Sequence, residues 1–221
     1  MASRTQAAEP ASSSADPVRA PFFRPRNEHV MTSERLILRA WRVDDAPEAL
    51  EIYGHPDVAR WLSPAMDQVR DVATMRVLLQ QWIAEDARLA APAGRWAIER
   101  IDDGHVIGGA VLLPLPPGDE DLEIGWHLTP SAMGQGYADE AMFALASWAF
   151  RNDVDEVFAV VRPENTHTAA TVRQNGMHWV GETTKYFGLD LQVFRLRQAD
   201  LDRAAPTAQR PPNHDRPAGA R

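Results

Sequence analysis

Residues 126–141 read Trp126-His127-Leu128-Thr129-Pro130-Ser131-Ala132-Met133-Gly134-Gln135-Gly136-Tyr137-Ala138-Asp139-Glu140-Ala141. An apolar stretch ends at Leu128, a proline and two glycines interrupt it, and Ala138, Ala141, Met142, Leu145, Trp148 and Ala149 then recur at helical spacing. A strand therefore runs into a glycine turn and leaves it as a long helix. Gly134 and Gly136 have no Cβ, so the main chain can bend sharply and approach a ligand. The first N–H groups of the helix then converge on one spot, with the positive end of the dipole behind them. That arrangement suits an anion such as a phosphate or pyrophosphate. Strand–glycine–helix turns also occur without any ligand, so the turn alone does not decide. It is not a Walker loop, because no Gly-Lys-Ser/Thr follows, and Asp139 stands where a dinucleotide fingerprint has its third glycine.

The flanking sequence alternates strands and helices. Leu122 to Leu128 forms the strand that feeds the turn, and Val157-Phe158-Ala159-Val160-Val161 reads as a central strand covered on both faces. Upstream, Arg95 to Arg100 and Val106 to Leu113 flank Asp102-Asp103-Gly104 as a hairpin. Before them come a strand at Arg35 to Arg39, a helix capped by Asp44 that runs to about Tyr53, and a long amphipathic helix over roughly 67–89. Downstream, a helix from Thr166 to Gln174 ends at Asn175-Gly176, and strands near 179–186 and 189–196 close the domain. The order predicts an α/β fold with a mixed sheet and helices on both faces.

Residues 1–30 and 198–221 hold eight of the 17 prolines and little apolar content, so both ends are expected to be disordered tails around a folded domain at 31–197. Met31 as the true start is an alternative reading of the first segment. Each tail carries net charge +1, which leaves −10 on the domain out of −8 for the chain. That acidity argues against binding nucleic acid through phosphates and favours a cationic partner. There is no cysteine, hence no disulfide, no cysteine-ligated metal and no cysteine nucleophile. No apolar run approaches the ~18 residues of a membrane span. Residues 1–30 lack the apolar core of a secretory signal, so a cytoplasmic location is expected. The seven histidines show no metal-ligand spacing, and no metal is expected. A monomer and a homodimer both remain open.

Four stretches together resemble the GNAT superfamily of acyl-CoA-dependent N-acyltransferases, in particular the branch of the RimJ/RimL ribosomal-protein N-terminal acetyltransferases. They are Ser33-Glu34-Arg35-Leu36-Ile37-Leu38-Arg39, Leu122-Glu123-Ile124-Gly125-Trp126, Gly134 to Ala141, and Pro163-Glu164-Asn165-Thr166 with Gly176 beyond it. The resemblance runs from Thr32 to about Arg197. It implies a mostly antiparallel sheet of about seven strands, with acetyl-CoA as cosubstrate. The strand ending Trp126-His127-Leu128 would splay from the 157–161 strand and pair with pantetheine. The pyrophosphate would sit on the N–H groups of Gly134, Gln135, Gly136, Tyr137 and Ala138. Asn165 would bond the pantetheine arm, or serve simply as a helix N-cap; the two roles are compatible. Met133 departs from the pattern, since relatives carry Gln or Arg there. The loss of one neutral side-chain hydrogen bond costs about 0.5–1.5 kcal/mol of binding.

Without cysteine, the simplest chemistry is direct attack of an amine on the thioester. An ammonium must first lose a proton, which calls for a general base. Glu123, which the resemblance places at the acyl site, is the first candidate; it is also readable as a solvated glutamate on a sheet face. His127 is the second, with an ordinary pKa suited to the task. Strand alternation puts Glu123, Gly125 and His127 on one face, opposite Ile124, Trp126 and Leu128. The intermediate's oxyanion needs a donor, such as a main-chain N–H near His127 or Leu128. Many relatives place a Tyr, or in some a Ser, seven residues after the motif Asn to protonate the leaving thiolate; here that residue is Val172. Trp61, in a loop expected from Arg60 to Pro64, could wall the acceptor site between the first two helices or belong to the core. The acceptor is then a primary amine, either a protein N-terminus or a small molecule. Met133 and Val172 keep a CoA-sensing module with little turnover as an alternative, and a succinyl or other acyl-CoA transferase is another.

Overall fold

Gly104 takes a left-handed φ of 69° and turns the chain between β3 (Gly94–Arg100) and β4 (Val106–Pro114), the hairpin at the centre of the molecule. The structure is a computed structural model that describes residues 30–62, 64–115, 121–186 and 188–204. Before the hairpin come β1 (Met31–Thr32), β2 (Leu36–Ala40), α1 (Ala46–Tyr53), α2 (Pro56–Leu62) and α3 (Val72–Asp86). After it come β5 (Leu122–Leu128), α4 (Tyr137–Arg151), β6 (Glu156–Val161), α5 (Thr166–Gln174), β7 (His178–Thr183), β8 (Leu191–Arg197) and α6 (Gln198–Ala204). The strands form one sheet in the order β1-β2-β3-β4-β5-β6-β8-β7. Only β5 and β6 pair in parallel; every other neighbour is antiparallel. The eighth strand, one more than expected, is the two-residue β1, which pairs with Ile37 and Leu38.

Each face of the sheet is covered by its own helices. Ile52, Tyr53, Val58, Met75 and Leu79 from α1, α2 and α3 pack with Trp41, Ala97 and Val106. Ala141, Leu145, Ala169, Val172 and Leu201 from α4, α5 and α6 pack with Leu36, Ile98, Ile124, Val157 and Phe194 on the other face. The chain thus continues past residue 197 into α6, where Leu201 is buried. Of the two tails expected at 1–30 and 198–221, residues 1–29 and 205–221 lie outside the described residues.

Further elements differ from the sequence expectation. The helix over 67–89 is shorter because Asp71 caps it at the backbone N–H of Thr74, 2.8 Å away. Trp61 belongs to α2, a short helix with one apolar face, rather than to a loop. On β6, Val157, Ala159 and Val161 are buried but Phe158 and Val160 are only half-buried. The sheet face under α1 to α3 is therefore incompletely covered at β6, beside the strand that leads to the glycine turn.

Asp44 does not cap α1; Asp45 stands at that position, and its side chain is engaged elsewhere. Asp45 is buried and accepts from Arg39 Nη1 at 2.7 Å, Arg39 Nη2 at 2.9 Å and the Arg42 backbone N–H at 2.7 Å. Arg39 Nε donates to Glu99. Burial opposes the charge on Arg39, but these two carboxylates outweigh it and raise its pKa. Asp45→Ala is expected to cost about 3–5 kcal/mol, because it leaves much of a buried guanidinium unpaired. Urea unfolding measures this, and a loss below ~1 kcal/mol would show that the bidentate pair contributes no more than a surface ion pair.

Candidate active site

The site is built where β5 leaves β6. On one edge β5 is laddered to β4 along its whole length, from Pro114↔Leu122 to Gly108↔Leu128. On the other edge it pairs with β6 only at Leu122↔Val157 and Glu123↔Phe158. From Ile124 to Leu128 the strands diverge, so the main-chain groups on that edge have no partner strand. Glu123 stands at the vertex of the fork.

The open edge runs directly into the glycine turn. A short 3-10 turn, Pro130–Ala132, precedes Met133, and both glycines are left-handed, with φ of 73° at Gly134 and 79° at Gly136. Non-glycine residues rarely adopt that region, which is what the two glycines are there to permit. Gln135 closes the loop with its own side chain, donating from Nε2 to the Ser131 carbonyl at 2.6 Å. Gly136 is the N-cap of α4 and no side chain among the described residues caps the helix, which leaves its first N–H groups for another acceptor. Tyr137 turns its ring into the core, Ala138 is half-buried, and Met133 is exposed.

Glu123 and His127 share the face under α1 to α3. Burial pushes the Glu123 carboxyl up to about 7. Burial pushes the His127 imidazole down to about 4, and its Nδ1 is sealed from solvent with no hydrogen-bond partner among the described residues. The ordinary histidine pKa assumed from sequence therefore does not hold. Near neutral pH His127 is uncharged, a hydrogen-bond acceptor and a weak base, and Glu123 is the stronger proton acceptor. Between them, a Cβ on Gly125 would meet only Val111, at 3.0 Å from Cγ2.

Tyr53, which sequence reasoning missed, stands over this face. Its ring lies 5.8 Å from that of His127, edge-on, and Trp82 and Trp41 pack behind it at 5.1 and 6.2 Å. The Tyr53 hydroxyl occupies the space above Gly109, the cross-strand partner of His127; a Cβ there would come within 2.1 Å of it. Burial raises the Tyr53 pKa far above the ordinary phenol value, so the hydroxyl keeps its proton. The Gly108-Gly109 pair inside β4 was the available signal, since glycine within a strand marks a close approach.

The other candidates are dispersed. Asn165 caps α5, accepting from the Thr168 N–H at 3.1 Å through Oδ1. Val172 is fully buried in the core. The Trp61 ring lies on α2 with the Arg60 guanidinium 4.8 Å from its centre. Trp126 is half-buried against the core of the opposite face, and Leu128 is part of that core. Among the described residues no group of three His, Asp or Glu is placed to hold a metal ion, and no helix is long and apolar enough to cross a membrane.

Comparison with known proteins bears on the same segment. The family described as acetyltransferase (GNAT) domain matches residues 35–178. The uncharacterized N-acetyltransferase p20 of Bacillus licheniformis is 28% identical over 135 residues, which is 61% of this chain and 74% of that protein. Among solved structures, a GNAT-family acetyltransferase from Bacillus anthracis superposes with a TM-score of 0.65 at 21% identity, covering 76% of this chain and 98% of that one. Mycobacterium smegmatis RimJ, solved in complex with CoA-disulfide, also gives 0.65, at 22% identity, covering 81% of this chain and 90% of RimJ. The forked strand pair and the glycine turn lie inside the matched region, and the chain belongs to the GNAT acetyltransferase family.

Proposed function

We propose that this acyltransferase uses acetyl-CoA to acetylate a primary amine, by direct attack of the amine on the thioester. The observation that carries the proposal is the fork of β5 and β6, with a proton acceptor at its vertex and an uncapped helix end at its mouth. The residues present fit coenzyme A: the unpaired edge 124–128 offers main-chain partners to an amide-bearing arm, and the left-handed glycines open a cradle for a diphosphate. The bound cosubstrate supplies the activated acetyl group. Backbone groups of Gly134 to Ala138 hold its phosphates, and Asn165, whose Oδ1 already caps α5, has its amide group available toward the arm.

Glu123 takes the proton from the incoming ammonium. A carboxyl near 7 is well matched to this step, being half ionised at neutral pH yet basic enough to accept. For an α-amine of pKa ~7.8 the deprotonation costs about 1 kcal/mol at pH 7, against about 4.6 for a lysine at ~10.4. The acidic domain favours a cationic acceptor, and both a protein N-terminus and a small amine satisfy that. His127 is held as a neutral acceptor beside the attacking nitrogen. With Val172 apolar and buried, water protonates the departing thiolate.

Amine-dependent release of free CoA thiol from acetyl-CoA, assayed over a panel of amines and an N-terminal peptide, tests the reaction. CoA binding without release would instead favour the sensing module for which Met133 and Val172 speak. Faster release from succinyl-CoA would replace acetyl as the group transferred.

A further inference from the structure

The first turn of α4 carries two carboxylates, Asp139 and Glu140, beside the N–H groups that would receive a diphosphate. Left alone, they would repel it. Asp139 accepts from Asn175 Nδ2 at 2.5 Å, a neutral partner that leaves its charge in place. Glu140 is treated differently. Its two oxygens accept from the backbone N–H of Arg35 at 2.6 Å and from Arg35 Nε at 2.8 Å. Partial burial works against the charge on Glu140, but the Arg35 N–H, the Ser33 hydroxyl and the guanidinium outweigh it and hold the carboxyl below its ordinary range.

The guanidinium is locked from three sides. Nε is on Glu140, Nη1 donates to the Gln135 carbonyl at 3.0 Å inside the glycine turn, and the group's central carbon lies 4.5 Å from the centre of the Tyr137 ring. No hydrogen bond among the described residues takes Nη2. That nitrogen lies 3.4 Å from the position a Cβ would take on Gly136, at the lip of the cradle, and the side chain is 44% exposed. A fixed, accessible N–H donor carrying positive charge thus stands beside the glycine turn, to which Met133 brings no polar side chain.

We propose that Arg35, from the start of β2, is a phosphate-binding residue of this enzyme, directing Nη2 at the diphosphate of coenzyme A and cancelling the charge of Glu140 beside it. The proposal rests on the coenzyme reading given above. It makes affinity depend on a residue about a hundred positions from the turn, and it accounts for how the turn works with methionine in place of a polar side chain.

Isothermal titration of the full chain with CoA, 3′-dephospho-CoA and pantetheine tests it. Arg35→Ala is expected to weaken CoA and dephospho-CoA alike by about tenfold or more, as loss of a charge-assisted hydrogen bond implies, with pantetheine unchanged. The salt dependence of CoA binding should flatten in the same variant. Arg35→Lys, which keeps the charge without the planar fork, should fall between the two, and melting curves of both variants report whether the fold persists. An equal loss for pantetheine, or no loss for CoA, overturns the proposal by reducing Arg35 to a structural clamp. A loss confined to CoA overturns the diphosphate assignment, since the guanidinium would then read the 3′-phosphate. Failure of the unaltered chain to bind CoA at all would instead sink the coenzyme reading itself.

Discussion

Glu123→Gln is expected to lower amine acetylation by roughly 10²- to 10⁴-fold, the range a positioned general base contributes, while CoA affinity stays within a factor of two or three. The substitution keeps the size and shape of the side chain, exchanges one acceptor oxygen for an amide donor, and removes the charge and the ability to take a proton. The pH dependence carries a second signature. In the unaltered enzyme kcat/KM should fall as pH drops through about 7, because the buried carboxyl becomes protonated there and can no longer accept. That limb should vanish in the variant, leaving only the titration of the amine. Stability moves in the opposite sense. A carboxyl raised in the folded state binds more protons folded than unfolded between its ordinary value and about 7, so the fold loses stability as pH rises across that window. The glutamine amide cannot ionise, and the variant should melt higher than the parent at pH 8. A Gln variant with undiminished turnover would remove Glu123 as the base.

Gly136→Trp is expected to reduce CoA affinity by more than 100-fold and turnover with it, because two effects coincide. The residue sits at φ 79°, where a side chain is strained, and its Cβ would lie 3.4 Å from Arg35 Nη2. For an L-residue the left-handed conformation costs roughly 1–2 kcal/mol, which Asn tolerates better than other residues. Gly136→Asn therefore serves as the control: it should fold nearly as well as the parent and bind CoA with an intermediate loss. Calorimetry on both, with circular dichroism to check folding, separates a blocked cradle from a damaged helix. Unaltered CoA binding by the Trp variant would move the phosphates away from this turn.

Local signals carried most of the architecture. The Asp102-Asp103-Gly104 hairpin, the glycine turn into α4 and the helix bounded by Asn165 and Asn175 are each set by residues adjacent in the chain, and the structure places them where sequence does. What could not be read depends on contacts between distant segments. Asp45 has the look of one more cap, and only Arg39 arriving across β2 makes it half of a buried ion pair. Tyr53 ends an unremarkable helix turn until Gly109 opens a place for its hydroxyl. Alternation along β5 is enough to put Glu123 and His127 on a common face, but their opposite shifts away from ordinary pKa values come from burial, which no spacing in the chain reports.

The fork has a mechanical consequence. Strands β1 to β5 and β6, β8 and β7 are two half-sheets, zipped to each other at two residue pairs and otherwise joined through the helices packed across one side. Such a seam is a short hydrogen-bonded line between the two halves of the sheet. A ligand arm lying along it would act as a removable splint between the halves, so part of its binding energy would go into stiffening the protein, and departure of the spent coenzyme would return that compliance to the empty enzyme.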